Sequence, residues 1–245
     1  MSPSLAGKTA LITGGGSGIG LGIARALAAA GVQVAISGRR AEVLEAAAAS
    51  ITEGPKVLTH LCDVANRESV KTLLEWAYKT LSKIDILVNA AGINIKTRAM
   101  GNMEPHQWDE VMQTNATGVY NCLYYALPGM RDRKEGLIIN ISSTSGKRAM
   151  PLGGIAYNAS KFAVDALGTG VANEESANGI RVTNIFPGEV DTPILANRPQ
   201  PVSAERRAKM LLPEDLGHMV VAIAQLPPRA HIPELIIKPL VQDFA

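Results

Sequence analysis

Tyr157 and Lys161 stand four residues apart in the run Tyr157-Asn158-Ala159-Ser160-Lys161. On a helix that spacing puts both side chains on one face. Phe162, Ala163, Val164, Ala166 and Leu167 continue at helical spacing, so a helix is predicted here. Ser142 and Ser143 close the run Leu137-Ile138-Ile139-Asn140-Ile141, which reads as a buried strand. A hydroxyl at a strand end, a phenol and an ammonium can therefore meet at one point. A phenol is neutral at pH 7, with a pKa of about 10, and a nearby cation favours its ionised form. That makes Tyr157 a candidate proton donor or acceptor for a carbonyl or alcohol oxygen, with Ser143 as the second hydrogen-bond partner. Tyr-x-x-x-Lys alone is a common helical spacing. Its weight comes from the elements around it.

Thr9-Ala10-Leu11-Ile12 is a short apolar run that ends at Thr13. Gly14-Gly15-Gly16-Ser17-Gly18-Ile19-Gly20 follows, and then an Ala/Leu-rich helix closing at Gly31. Strand, glycine turn and helix in this order form a phosphate cradle. Glycines allow the tight turn and close backbone approach, and the helix N-terminus favours an anion. The candidate contacts are Gly14, Gly16, Ser17, Gly18, Ile19 and Gly20. Val32 to Ser37 is the second strand. In NAD-binding folds an acid about 20 residues past the glycines takes the ribose 2′-hydroxyl. Here Ser37-Gly38-Arg39-Arg40 occupies that place, with no acid before Glu42. A guanidinium fork suits a 2′-phosphate, so the predicted cofactor is NADP(H) in preference to NAD(H). The competing reading is a solvated pair of loop arginines.

The pattern repeats: helix Ala41 to Thr52, strand Val57 to Leu61, helix Ser69 to Leu81, strand Ile84 to Val88. Val182 to Phe186 and Glu234 to Lys238 complete seven strands. Such alternation predicts an α/β fold of the Rossmann type, a doubly wound, seven-stranded parallel sheet with helices on both faces. One domain over 1–245 is expected. Ligands in such sheets lie beyond the carboxyl ends of strands, where Asp63-Val64 and Asn89-Ala90-Ala91-Gly92 fall. Asp63 has two readings, an acceptor for an adenine amino group or a turn acid leading a helix. Asn89 could brace the backbone beside the cofactor. A long helix is predicted from Pro105 to about Met130, with Asn115 in its middle, where Asn is a poor helix former. Its apolar neighbours favour an amide that bonds to backbone and bends the helix. Residues 194–212 lack clean periodicity, and a substrate lid is expected over 189–212. Pro213 starts a helix to about Leu226, its first turn carrying Glu214 and Asp215.

Composition narrows the function classes. The chain has 245 residues, 47% hydrophobic and 19% charged, enough for a sizeable core. A net charge of +2 gives no basis for a nucleic-acid surface. Cys62 and Cys122 sit in apolar runs and read as reduced core thiols. No leader pattern and no apolar run of about 18 residues is present. The expectation is a soluble, cytoplasmic protein without a membrane partner. No metal site is assigned.

Taken together, these segments resemble the short-chain dehydrogenase/reductase family in its simple single-domain branch. The resemblance is carried by Thr13-Gly14-x-x-x-Gly18-Ile19-Gly20, Asp63-Val64, Asn89-Ala90-Ala91-Gly92, Asn115, Ser143, Tyr157-x-x-x-Lys161 and Pro187-Gly188-x-Val190-x-Thr192, and covers nearly the whole chain. It implies an oxidoreductase with Tyr157 as general acid/base and Ser143 polarising the substrate oxygen. Lys161 would lower the phenol pKa and bind the nicotinamide ribose. Asn115 would anchor a water that links Lys161 to solvent. Thr192 and the Val190 backbone would hold the nicotinamide carboxamide. The family also implies a homotetramer or homodimer, for which Met112, Val119, Leu123, Tyr124, Phe162 and Leu167 are candidate contacts. Three positions depart from its pattern. Ser17 stands where members that prefer NADP(H) often carry Arg or Lys, Ala90 replaces an Asn, and Lys238-Pro239-Leu240 replaces a common Gly-Gly.

The substrate, a small carbonyl or alcohol compound, is expected between residues 93–98, 144–152 and 189–195. Lys96, Arg98, Lys147 and Arg148 would make the rim basic. An anionic substrate held by Arg98 or Arg148 competes there with plain solvated charges. Two readings from other classes are a non-catalytic NADP(H) sensor and a structural subunit of a larger assembly. The chain leaves little room for the nucleotide-sugar lobe of a longer-branch epimerase or dehydratase.

Overall fold

The computed structural model describes residues 3–242. Seven strands form one parallel sheet in the order β3-β2-β1-β4-β5-β6-β7. They are β1 Thr9–Thr13, β2 Gln33–Gly38, β3 Leu58–Leu61, β4 Ile86–Asn89, β5 Gly136–Ile141, β6 Ile180–Pro187 and β7 Glu234–Ile237. The reversal of order lies between β1 and β4, which pair from Ala10↔Ile86 to Thr13↔Asn89. Their carboxyl ends therefore open a crevice at Thr13 and Asn89. Parallel strands covered on both faces must be apolar on both sides. β1 and β5 are buried along their whole length.

Alternate strand residues feed two separate cores. Ile12, Ile36, Val88 and Ile139 face one, with α1 Gly18–Ala29 and α8 Pro213–Ala224. Leu11, Ala35, Leu87 and Ile138 face the other, with α3 Arg67–Leu81 and α5 Gly118–Arg133. The remaining helices are α2 Ala41–Ala49, α4 Pro105–Met112, α6 Ile155–Glu175 and the short α7 Ala204–Arg207. Cys62 and Cys122 are both free and buried in the second core. Among the described residues no helix is long and apolar enough to cross a membrane.

The predicted single helix from Pro105 to Met130 is interrupted. α4 and α5 are joined by a π turn at Gln113–Thr117, and Asn115 is at its centre. One extra residue in the turn lets the Asn115 side chain leave the helix axis. Its Oδ1 accepts from the Ile93 N–H (2.8 Å), and its Nδ2 donates to the Ile93 carbonyl (2.9 Å) and Ser160 Oγ (3.0 Å). The amide thus replaces a strand partner for the loop after β4 and ties it to α6.

Candidate active site

Two adjoining hollows open at the carboxyl edge of the sheet. The first, of about 610 Å³, runs from Gly14, Gly16, Ser17, Gly18, Ile19 and Gly20 past Arg39, Arg40, Asp63 and Val64 to Ala90 and Gly92. Gly14 has φ +68, and a Cβ there would lie 2.7 Å from the Ala91 backbone. A Cβ on Gly20 would lie 2.3 Å from the Gly14 carbonyl oxygen. Only glycine closes this turn. Ser17 precedes α1 without capping it, and the first turn holds no acid. Its N–H groups are left to point at an anion. Arg39 and Arg40 are exposed at the cleft mouth.

Two expected contacts, Ser37 and Asn89, do not line this cleft. The Ser37 side chain is fully buried and its hydroxyl is unpartnered among the described atoms. It does not line the cleft; its carbonyl accepts from Gly15 N–H (3.2 Å), so Ser37 shapes the glycine turn from behind. Asp63 does line the cleft, and its Oδ1 also accepts from the Ala65 N–H (3.1 Å). The carboxylate therefore holds the turn while it also borders the cleft, and both readings of Asp63 stand. Asn89 is buried behind the crevice, where its Nδ2 donates to Asn140 Oδ1 (2.8 Å), and Asn140 Nδ2 donates to Asn184 Oδ1 (3.0 Å). Three adjacent strands are cross-braced by amides. Asn140 and Asn184 were not singled out in the sequence. The signal available was an Asn inside each of two strands that are otherwise buried and apolar.

The second hollow, about 180 Å³, lies over Ser143, Tyr157 and Lys161. Ala90, Gly92, Ile19 and Thr192 border both hollows. Ser143 follows β5 and accepts from the Ser145 N–H (3.1 Å), which starts a short 3-10 turn. Tyr157 and Lys161 lie on one face of α6, and the Lys161 ammonium is 5.5 Å from the phenol ring centre. Lys161 Nζ donates to the Ile141 carbonyl (2.8 Å). A Cβ placed on Gly92 would lie 3.4 Å from Asn115 Oδ1 and 3.6 Å from Lys161 Nζ, so the π turn, the β4 loop and α6 converge there.

The electrostatics revise one expectation. Burial pushes the Tyr157 phenol up; a hydrogen bond with Ser143 and the charge of Arg98 pull the other way without reversing it. Arg98 is a cation that acts on the phenol, and the nearby Lys161 ammonium donates its hydrogen bond to a carbonyl. Burial lowers Lys161 itself to about 8. Tyr157 therefore keeps its proton at neutral pH.

The basic rim is also redistributed. Lys147 is held by Asp165 (2.9 Å) and Glu234 (2.7 Å) and lies 4.4 Å from the centre of the Phe186 ring. Lys96 is exposed and outside the pocket wall. Arg98 lines the pocket together with Glu189, the first residue of the expected 189–195 wall, and with Arg198 and Gln242, which the sequence did not place there. The Gln242 Oε1 accepts from Glu189 N–H (2.8 Å). Residues 189–212 form a loop closed at its base, where Val190 pairs with Leu211. Pro187, Gly188, Val190 and Thr192 wall the pocket from this side.

Comparison with known proteins agrees with this geometry. Residues 8–202 match the family model for short chain dehydrogenase. The chain belongs to the short-chain dehydrogenase family. A farnesol dehydrogenase of Aedes aegypti is 37% identical over 98% of both chains. A glycine betaine reductase of Emericella nidulans is 34% identical over 96% of this chain, which spans only 19% of that longer protein. Among solved structures, a serine dehydrogenase complexed with NADP+ superposes with TM-score 0.88 at 30% identity, covering 97% of each chain. A 3-ketoacyl-(acyl-carrier-protein) reductase from Brucella melitensis complexed with NADH gives 0.87 at 31%, covering 96% of this chain and 98% of that one. This short-chain dehydrogenase is thus an oxidoreductase of a family whose members bind nicotinamide cofactors.

Proposed function

We propose that the protein transfers a hydride between NADP(H) and a small carbonyl or secondary alcohol compound. The observation that carries this reading is that Ser143, Tyr157 and Lys161 line one pocket, which shares Ala90, Gly92 and Thr192 with the glycine-rich cleft. The cleft fits a dinucleotide: its glycine turn admits no Cβ, its helix end bears free N–H groups and no acid, and two arginines border its far end. When bound, the nicotinamide supplies the hydride chemistry.

The protein's own residues supply the rest. Ser143 holds the substrate oxygen, and Tyr157 gives it a proton during reduction or removes one during oxidation. Lys161 and the Asn115-braced loop fix the ring side of the cofactor, with Thr192 and the Val190 backbone against its carboxamide. Tyr157, Lys161, Pro187 and Gly188 complete the cofactor end. Near neutral pH the phenol carries the proton that reduction of a carbonyl requires. Arg39 and Arg40 take the 2′-phosphate, since no acid stands there to repel it. The relatives act on different compounds, so the substrate must be argued from this pocket.

The test is Tyr157→Phe. Turnover of a carbonyl panel should fall roughly 10²–10⁴-fold, while cofactor binding, followed by protein fluorescence, holds. The same titration of the unaltered protein should give tighter binding of NADP(H) than of NAD(H). Unchanged turnover would remove Tyr157 from the chemistry, and tighter NAD(H) binding would remove the 2′-phosphate assignment.

A further inference from the structure

The charges around the substrate pocket do not balance. Glu189 accepts from Arg198 Nη2 (2.7 Å) and from Arg206 through Nη2 (2.9 Å) and Nε (3.1 Å). Burial pushes that carboxyl up, and the two arginines more than reverse it, so it stays ionised. One carboxylate thus serves two guanidiniums. Arg98, on the same wall, pairs with no carboxylate among the described residues. Its Nε donates to the Ile95 carbonyl (2.9 Å), its Nη1 to the Leu152 carbonyl, and its Nη2 to the Asn197 carbonyl (2.8 Å). All three partners are neutral.

That arrangement fixes the guanidinium without cancelling its charge. A guanidinium carries five N–H donors, and three are engaged, so two remain. The group is near enough to Tyr157 to act on the phenol, and near enough to Arg198 for the two to repel. Its immobilisation is complete before any ligand arrives, which lowers the ordering cost of binding. An uncompensated, pre-oriented fork beside the reacting oxygen is suited to a carboxylate. The hollow over Ser143 and Tyr157 holds about 180 Å³, which suits a compact ligand.

We propose that Arg98 binds the carboxylate of a compact keto acid, or of the hydroxy acid formed from it, with the reacting oxygen between Ser143 and Tyr157 and with Arg198 flanking. This rests on the proton-transfer reading of Tyr157. The carboxylate makes and breaks no bond; hydride goes to the carbonyl carbon, the phenol proton goes to its oxygen, and the acid group only orients and neutralises. Lys147 is excluded from this role by Asp165 and Glu234, and Lys96 by its place outside the wall.

Two measurements test it together. First, 2-, 3- and 4-keto acids of up to six carbons are compared with their own methyl esters as substrates with NADPH. The acids should exceed the esters in kcat/KM by roughly 10- to 100-fold, the range of a charge-assisted hydrogen bond. Arg98→Gln should bring that ratio to within about threefold of unity, and Arg98→Lys should restore part of it. Esters that match the acids, or a ratio that survives Arg98→Gln, overturn the assignment. Second, oxamate and its neutral counterpart oxamide are titrated calorimetrically into the unaltered protein holding NADP+. Oxamate should bind at least about tenfold tighter, and less so at high salt. Equal binding of the two overturns the carboxylate site whatever the turnover. Preferential oxamate binding without turnover of any compound leaves the site standing and overturns the hydride-transfer reading.

Discussion

Lys161 is an ammonium taken out of water with a single carbonyl for a hydrogen-bond partner. Burial lowers it from 10.5 to about 8. Below pH 8 both folded and unfolded chains hold this proton, and the desolvation cost stands in full against the fold. Between about 8 and 10.5 the unfolded chain still holds a proton that the folded one has released, so the cost fades as pH rises. The shift corresponds to about 3 kcal/mol, less about 1 kcal/mol for the hydrogen bond to Ile141. Lys161→Met should therefore raise the melting temperature of the cofactor-free protein at pH 7, by roughly 2–4 °C per kcal/mol for a chain of this length. The gain should shrink by pH 10. Scanning calorimetry at both values checks it, and a melting temperature lowered equally at both would refute the burial cost. Turnover should be lost in the same variant, a trade expected where a site is built against stability. Tyr157, Lys161 and Ser143 were legible in the sequence because helical spacing and a strand end suffice to place them. The direction of the phenol shift was not, since burial in the folded chain sets it against the pull of Arg98, a residue 59 positions earlier.

The α4–α5 element carries a second consequence. The π turn aims Asn115 at Ile93 and Ser160. Ser160 in turn donates to the Tyr157 carbonyl (2.8 Å), so one amide joins the β4 loop to the helix bearing the phenol. Asn115→Ala deletes three hydrogen bonds and strands the Ile93 amide and carbonyl. At about 1 kcal/mol for each bond, stability should fall roughly 2–4 kcal/mol, readable as a lower urea midpoint with an unchanged m-value. kcat should fall as well, because the wall beside Lys161 loses its brace. Full stability in this variant would mean that water takes over the amide's partners. The bend was anticipated from Asn in an apolar helical run. Its π geometry was not, because the extra residue is fixed by a partner 22 positions away.

At the scale of the molecule, the parallel, doubly wound sheet follows from strand–helix alternation with right-handed crossovers, whereas the point at which the strand order reverses is read only from the folded chain. The fastening of the 189–212 segment through Glu189 and Asp191 was opaque, because Arg198, Arg206 and Arg207 sit in a stretch without periodicity, where pairing is set only by the folded path. The outer surface was legible in part. Of the residues expected at a subunit interface, Val119 and Leu123 are buried in the core, while Tyr124 is 57% and Phe162 43% exposed. Tyr120 joins them, 43% exposed and 6.1 Å from Tyr124 between ring centres. Aromatic rings bury much apolar area for little lost side-chain freedom, and α5 and α6 lie next to each other behind the site. We expect these faces to pair with a second copy of the chain. Light scattering after size exclusion should give a mass near two or four times 25.8 kDa. Tyr124→Asp with Phe162→Asp should shift it toward one copy, because two carboxylates would be desolvated in the contact. Both side chains are exposed in the single chain, so the fold itself should keep its far-ultraviolet signature. A lone 25.8 kDa species in the unaltered protein would end the oligomer expectation.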